Sequence, residues 1–147
     1  MNMFNNILIP TDGSDYANEA VAKALQLAKI MNAQVTAMSV VDTGSLAHYK
    51  DGSRTSLGEF DYDQTGAKDA VDKVSKEGSE MGVNVKTIVK NGSPAHEIIE
   101  ESKNNDLIVM SSLGNTGLTH LLVGSVAEKV IRFAACPVLV VKSSKKK

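Results

Sequence analysis

The feature that most constrains this chain is a repeated alternation between short apolar runs and longer stretches of helical periodicity. Asn6-Ile-Leu-Ile-Pro10 reads as a first strand, and Thr11-Asp-Gly-Ser14 has the composition of a turn. From Ser14 to Asn32 the apolar residues Ala17, Ala20, Val21, Ala24, Leu27, Ala28 and Met31 recur every three or four positions, which predicts a helix with one buried stripe. Ala33 to Val41 turns apolar and β-branched, with Val35, Ala37, Ser39 and Val41 on one face and Thr36, Met38 and Val40 on the other, the pattern of a second strand. Asp42 to Asp63 shows no sustained period and contains Gly44, Gly52 and Gly58, so a flexible loop is expected over 42–63.

The alternation then resumes. Ala67, Ala70, Val71, Val74 and Met81 form the apolar side of a second helix, and Gly82 is a suitable stop. Val83 to Val89 reads as a third strand, with Asn91-Gly92 as the turn after it. Ser93-Pro94 opens a third helix carrying Ala95, Ile98 and Ile99, serine as cap and proline at the first helical position. Asp106-Leu-Ile-Val-Met110 is apolar enough to be covered on both faces. Ser125-Val-Ala-Glu128 spells a capping box at the head of the last helix, which carries Val126, Val130, Ile131 and Ala134. Pro137 to Lys142 is the fifth strand, and 143–147 is a basic tail.

Five strands interleaved with four helices predict an α/β fold of the Rossmann-like kind: one doubly wound, five-stranded parallel sheet with helices on both faces. A length of 147 residues fits a single domain over 1–147. Such sheets bind ligands beyond the carboxyl ends of their strands, where the strand order reverses. With strand one central and strand four beside it, Thr11–Ser14 and Leu113–Val123 would share that crevice.

Charge and composition narrow the function. A net charge of -1 and only six aromatic residues argue against a nucleic-acid binder. No apolar run reaches the ~20 residues of a membrane span, and the first residues lack the character of a signal peptide, so a cytoplasmic location without membrane contact is expected. Cys136 is the only cysteine, which excludes an internal disulfide and a thiolate metal cluster and suggests a packed, inert thiol.

The segment from Met110 to Ser125 is the most informative for chemistry. Its glycines let a backbone approach a bulky anion, and the helix behind it offers unpaired N–H groups at a favourable dipole end, so polyphosphate suits it. No lysine or arginine lies between Met110 and Ser125. Binding there would rest on backbone N–H groups and the hydroxyls of Ser111, Ser112, Thr116 and Ser125, with a divalent cation offsetting the phosphate charge. The same residues equally describe a tight turn and a helix cap, with no ligand at all.

Ile7-Leu-Ile-Pro-Thr-Asp-Gly-Ser14, the Val40-Val41-Asp42 strand end, the Gly92-Ser-Pro-Ala95 turn, the 110–125 loop and Pro137-Val-Leu-Val-Val141 together resemble the universal stress protein family, nearly end to end. Nucleotide-binding members carry glycine, two residues, glycine, nine residues, then glycine with serine or threonine. Gly114, nine intervening residues and Gly124-Ser125 fit, whereas Ser111 stands in place of the first glycine. The resemblance implies a protein that binds ATP or a related adenine nucleotide, with Mg or Mn held through the phosphates, and that forms a homodimer through the last strand. It places Pro10, Thr11, Asp12, Val41, Met110, Ser111, Ser112, Gly114, Gly124, Ser125 and Val126 at the nucleotide. Asp12 would sit near ribose or metal-linked waters, or else only stabilise its turn; Val41 would line the adenine pocket, or else only fill the core.

A regulatory or stress-response binding protein is therefore the leading reading, with an adenylating or slowly ATP-hydrolysing enzyme as the alternative. No catalytic residue or protein metal ligand is assigned: His120 has no paired carboxylate or nucleophile near it in sequence, and His48 and His96 are isolated. An adenylating PP-loop enzyme would open with serine-glycine-glycine after strand one, and a phosphoacceptor receiver would need an aspartate after strand three, where Val89-Lys-Asn91 stands. The Walker string is missing too.

Overall fold

The computed structural model describes residues 3–43, 64–113 and 123–142. Within them the chain runs β1 (Asn6–Pro10), α1 (Asp15–Met31), β2 (Gln34–Asp42), α2 (Thr65–Glu80), β3 (Val85–Gly92), α3 (Pro94–Glu101), a 3-10 turn (Ser102–Asn104), β4 (Leu107–Ser111), α4 (Ser125–Phe133) and β5 (Val138–Val141). The sheet order is β3-β2-β1-β4-β5, with every neighbouring pair parallel. β1 is thus central, and the order reverses between β1 and β4.

Strand alternation divides the core in two. Ile7, Ile9, Val35, Ala37, Leu107 and Val109 face Val21, Ala24, Leu25 and Ala28 of α1 and Val71 and Val74 of α2. Leu8, Met38, Ile108 and Met110 face Ile98 of α3 and Ala127 and Val130 of α4. Each large side chain withdrawn from water in these layers contributes about 1.5–3 kcal/mol, which is why strands covered on both faces carry no polar alternation.

Local chemistry sets the ends of α1. Ser14 Oγ accepts the Ala17 N–H at 3.1 Å, and Asn32 closes the helix in the left-handed region at φ 55. Gly82 turns the chain after α2 at φ 79, as its place in the sequence predicts. A buried hydroxyl ties α3 to the approach of β5: Ser102 Oγ donates to the Ile99 carbonyl at 2.6 Å and accepts the Ala135 N–H at 2.8 Å.

Four expectations need correction. Asn91-Gly92 is not a turn; both residues continue β3 and pair with Val41 and Asp42 of β2. Ser93 precedes α3 in an extended conformation but makes no side-chain cap, so Pro94 alone carries the predicted chemistry. Gly124, not Ser125, is the N-cap of α4, since the first helical bond runs from the Glu128 N–H to the Gly124 carbonyl at 2.9 Å. Glu128 pairs instead with Arg132, one turn on, at 3.0 Å. Asp42, expected to open the loop over 42–63, is instead the last residue of β2; 44–63 and the tail 143–147 lie outside the described residues.

Candidate functional site

A cleft of about 440 Å³ opens beyond the carboxyl ends of β1 and β4, at the reversal of strand order. The strands give it an apolar floor of Met38, Val40 and Met110, and the helices add Ile98 and Val126. Pro10, Thr11 and Asp12 form one lip, and Ser111, Ser112 and Leu113 run along the other to Gly124 and Ser125. A second hollow of about 360 Å³ lies around the C-terminal ends of α1 and α2, lined by Lys29, Asn32, Gln34 and Asn84. It has no comparable apolar floor, and the Lys29 ammonium already donates to the Met81 carbonyl at 2.6 Å.

The turn after β1 is held by its own side chains. Thr11, buried, accepts the Gly13 N–H on Oγ1 at 3.1 Å, and Asp12 Oδ1 accepts the Ser14 N–H at 2.9 Å. Gly13 takes φ 81, a conformation that favours glycine. Asp12 therefore does shape the turn, while also lining the cleft. The far lip is anchored at both ends: the Ser112 N–H donates to the Val141 carbonyl at 3.0 Å, and the Gly124 N–H donates to the Ser112 carbonyl at 2.7 Å. A Cβ on Gly124 would stand 3.3 Å from that same carbonyl oxygen, so the close approach itself calls for glycine although φ is an ordinary -72.

α4 meets the cleft with its first turn unsatisfied. The N–H groups of Ser125, Val126 and Ala127 have no partner among the described residues, and no side chain caps the helix. α1 has the opposite arrangement, with the Ser14 side chain in place as its cap. The unpaired donors and the positive end of the helix dipole make this lip an acceptor site for an anion. No Lys, Arg or His lines the cleft among the described residues, whereas the carboxylates Asp12 and Asp42 do. An anion of high charge would need a divalent cation beside it, and these carboxylates suit a hard cation approached through water.

Of the residues predicted for the site, Pro10, Thr11, Asp12, Met110, Ser111, Ser112, Gly124, Ser125 and Val126 come together around the cleft. Val41 does not: strand alternation turns it to the opposite face, and Val40 lines the cleft in its place. Gly114, Thr116 and His120 lie outside the described residues. Sequence reasoning missed Met38, Val40, Asp42, Pro94 and Ile98 as lining residues. The period-2 reading of β2 already separates Met38 and Val40 from Val41 and could have found the first two; nothing local marks the contribution of α3.

The remaining candidates stay apart. Cys136 is half-buried, and burial, reinforced by the charge of Asp106, pushes its thiol above the ordinary value, which keeps it protonated and unreactive. His96 is exposed on α3. No cluster of three or more His, Cys, Asp or Glu suited to a metal occurs among the described residues, and no described helix is long and apolar enough to cross a membrane.

The sequence matches the model of the Universal stress protein family over residues 3–142. It is 45% identical over 148 residues to a universal stress protein of Methanocaldococcus jannaschii, covering 99% of this chain and 86% of the relative. Among solved structures it is similar to the universal stress protein UspA from Lactobacillus plantarum, with a TM-score of 0.81, 31% identity, and coverage of 93% of this chain and 97% of the other. A universal stress protein in complex with cAMP has a TM-score of 0.68 at 22% identity, over 96% of this chain and 98% of its own. An Arabidopsis thaliana family member with AMP bound has a TM-score of 0.67 at 16% identity, over 95% and 92%. At these last two identities the likeness is one of fold.

Proposed function

The chain belongs to the universal stress protein family, and from that premise we propose that it is an adenine-nucleotide-binding regulatory protein that takes ATP or a related nucleotide at the β1/β4 cleft and acts as a homodimer. One observation carries the reading: an apolar cleft at the sheet reversal ends on the uncapped first turn of α4. A purine suits Met38, Val40, Ile98 and Met110; phosphate suits the N–H groups of Ser125, Val126 and Ala127; ribose hydroxyls or metal-linked waters suit Asp12 and Asp42. Gly114 and the Gly124-Ser125 pair belong to the same phosphate-binding pattern. Two relatives of the same fold hold adenine nucleotides, cAMP in one and AMP in the other, in keeping with the reading. With carboxylates and no basic side chain lining the described cleft, ATP enters with Mg or Mn, whereas AMP and cAMP, carrying less charge, depend less on the metal.

Titration calorimetry with AMP, cAMP and ATP, the last with and without Mg, tests this directly. Binding should raise stability by mass action, about 2.7 kcal/mol at a hundredfold excess over Kd, and EDTA should weaken ATP far more than AMP. The absence of both heat and thermal shift at millimolar nucleotide would overturn the reading.

A further inference from the structure

A strand at the margin of a sheet leaves one side of its backbone without a ladder partner. β3 is such a strand, pairing among the described strands only with β2. The Val35 N–H donates to the Asn84 carbonyl at 2.9 Å and the Thr43 N–H to the Gly92 carbonyl at 3.1 Å, so at both ends of the ladder the even-numbered residues turn their backbone to β2. The register runs unbroken from Val85 to Gly92, and strand alternation therefore turns the N–H and C=O groups of Val85, Thr87, Val89 and Asn91 to the free edge. Side chains alternate along the same strand. Lys86, Ile88 and Lys90 share the α3 side, Ile88 half-buried against that core layer between two exposed lysines, while Val85 and Val89 pack on the α1/α2 layer. Neither ammonium has an ion-pair partner among the described residues.

Lysines so placed repel a basic strand and disfavour an uncharged one, which would crowd them without compensation. A strand bearing carboxylates meets both with opposite charge, and cross-strand pairs of opposite sign are favourable. We propose that the free edge of β3 is a docking site for an extended acidic segment of a partner protein, which joins the sheet as a further strand. The spacing of the edge defines that segment. Positions facing Lys86, Ile88 and Lys90 lie two residues apart, so the partner carries a carboxylate, an apolar residue and a second carboxylate at alternate positions, a pattern that reads the same in either strand direction. Backbone bonds to Val85, Thr87, Val89 and Asn91 supply affinity regardless of sequence, and the two lysines supply the choice. The chain's own last strand, Val138-Leu-Val-Val141, has no carboxylate and does not fit, so a second copy entering by β5 is not the occupant.

The test uses the full chain and a short capped, fluorescently labelled peptide in which glutamate, valine and glutamate alternate with threonine, its Kd read by anisotropy. Two control peptides accompany it: one with lysine in place of each glutamate, and one methylated on alternate backbone nitrogens, which keeps the charge but removes the N–H donors of a strand. The glutamate peptide should bind, and added salt should weaken it. The lysine and methylated peptides should each bind at least about tenfold more weakly. Reversing both edge charges, Lys86→Glu with Lys90→Glu, should exchange the preference, so that the variant takes the lysine peptide and loses the glutamate peptide; the single variants Lys86→Gln and Lys90→Gln should each weaken the glutamate peptide severalfold and decide the matter should the double variant not fold. A glutamate peptide that fails to bind, that binds regardless of these substitutions, or that binds equally well when methylated overturns the proposal, the last outcome leaving only diffuse charge attraction. Peptide that lowers the mass of the protein in light scattering, by displacing a second copy from this edge, overturns it as well.

Discussion

Ser14 and Ser125 each stand at the head of a helix, but only Ser14 closes the one behind it, through the 3.1 Å bond from the Ala17 N–H. Ser125 is one residue inside α4, where its hydroxyl meets no N–H of the first turn. The capping-box spelling Ser125-Val-Ala-Glu128 misleads because glycine is itself an acceptable N-cap, and Gly124 is pinned one residue earlier by the Ser112 carbonyl. That pinning is a long-range bond which no local pattern records. The two serines should therefore separate stability from binding. Ser14→Ala should cost about 0.5–2 kcal/mol of apo stability, and Ser125→Ala less than about 0.5 kcal/mol. If the Ser125 hydroxyl meets phosphate, its alanine variant should lose about 1.5–3 kcal/mol of ATP affinity with that near-native stability. Thermal unfolding beside calorimetry reads both quantities, and a Ser125→Ala variant as unstable as Ser14→Ala would return Ser125 to the role of cap.

Elements are legible in this sequence where their periodicity is strong, as in α1 and β4, and misread where a boundary depends on a distant partner. Asn91-Gly92 has the local chemistry of a turn, but β2 runs to Asp42 and holds both residues in register as strand. Gly92, at φ 148, then leads toward α3, and a Cβ there would stand 3.0 Å from Glu97 Oε2. Gly78 is the sharper case. In mid-helix a glycine is weaker than alanine by roughly 0.5–1 kcal/mol, so propensity alone predicts that Gly78→Ala stabilises α2. The packing says otherwise: an added Cβ would lie 2.5 Å from Val85 Cγ2 and 3.4 Å from the Val83 carbonyl oxygen. Overpacking of this kind costs about 1–3 kcal/mol, which exceeds the gain in propensity. Gly78→Ala should lower the urea midpoint, and the double variant Gly78→Ala with Val85→Ala should recover part of the propensity gain. Stabilisation by the single variant would mean that α2 and β3 separate at little cost.

At the scale of the whole molecule, alternation predicted the parallel sheet, and the reversal between β1 and β4 places the cleft; how the two sheet edges differ is visible only in the structure. β3 exposes Lys86 and Lys90, charges that discourage a strand without carboxylates from pairing there. β5 is Val138-Leu-Val-Val141, without a charge in the strand and with Leu139 44% exposed, and among the described strands it pairs only with β4. One edge is guarded and the other is not, which favours β5 as the strand of the proposed homodimer. Two identical strands related by a two-fold axis pair antiparallel, so the assembly would continue the sheet across the axis and join two clefts into one particle. Light scattering at tens of micromolar, on the order of a stable dimer's working range, should give twice the chain mass. Leu139→Lys should return it to the mass of one chain, because a charge on the unguarded edge does there what Lys86 and Lys90 do on the other. Lys86→Leu should leave the dimer unchanged. A monomer in the unmodified protein, or a dimer indifferent to Leu139→Lys, would mean that the exposed face of β5 is not where two copies meet.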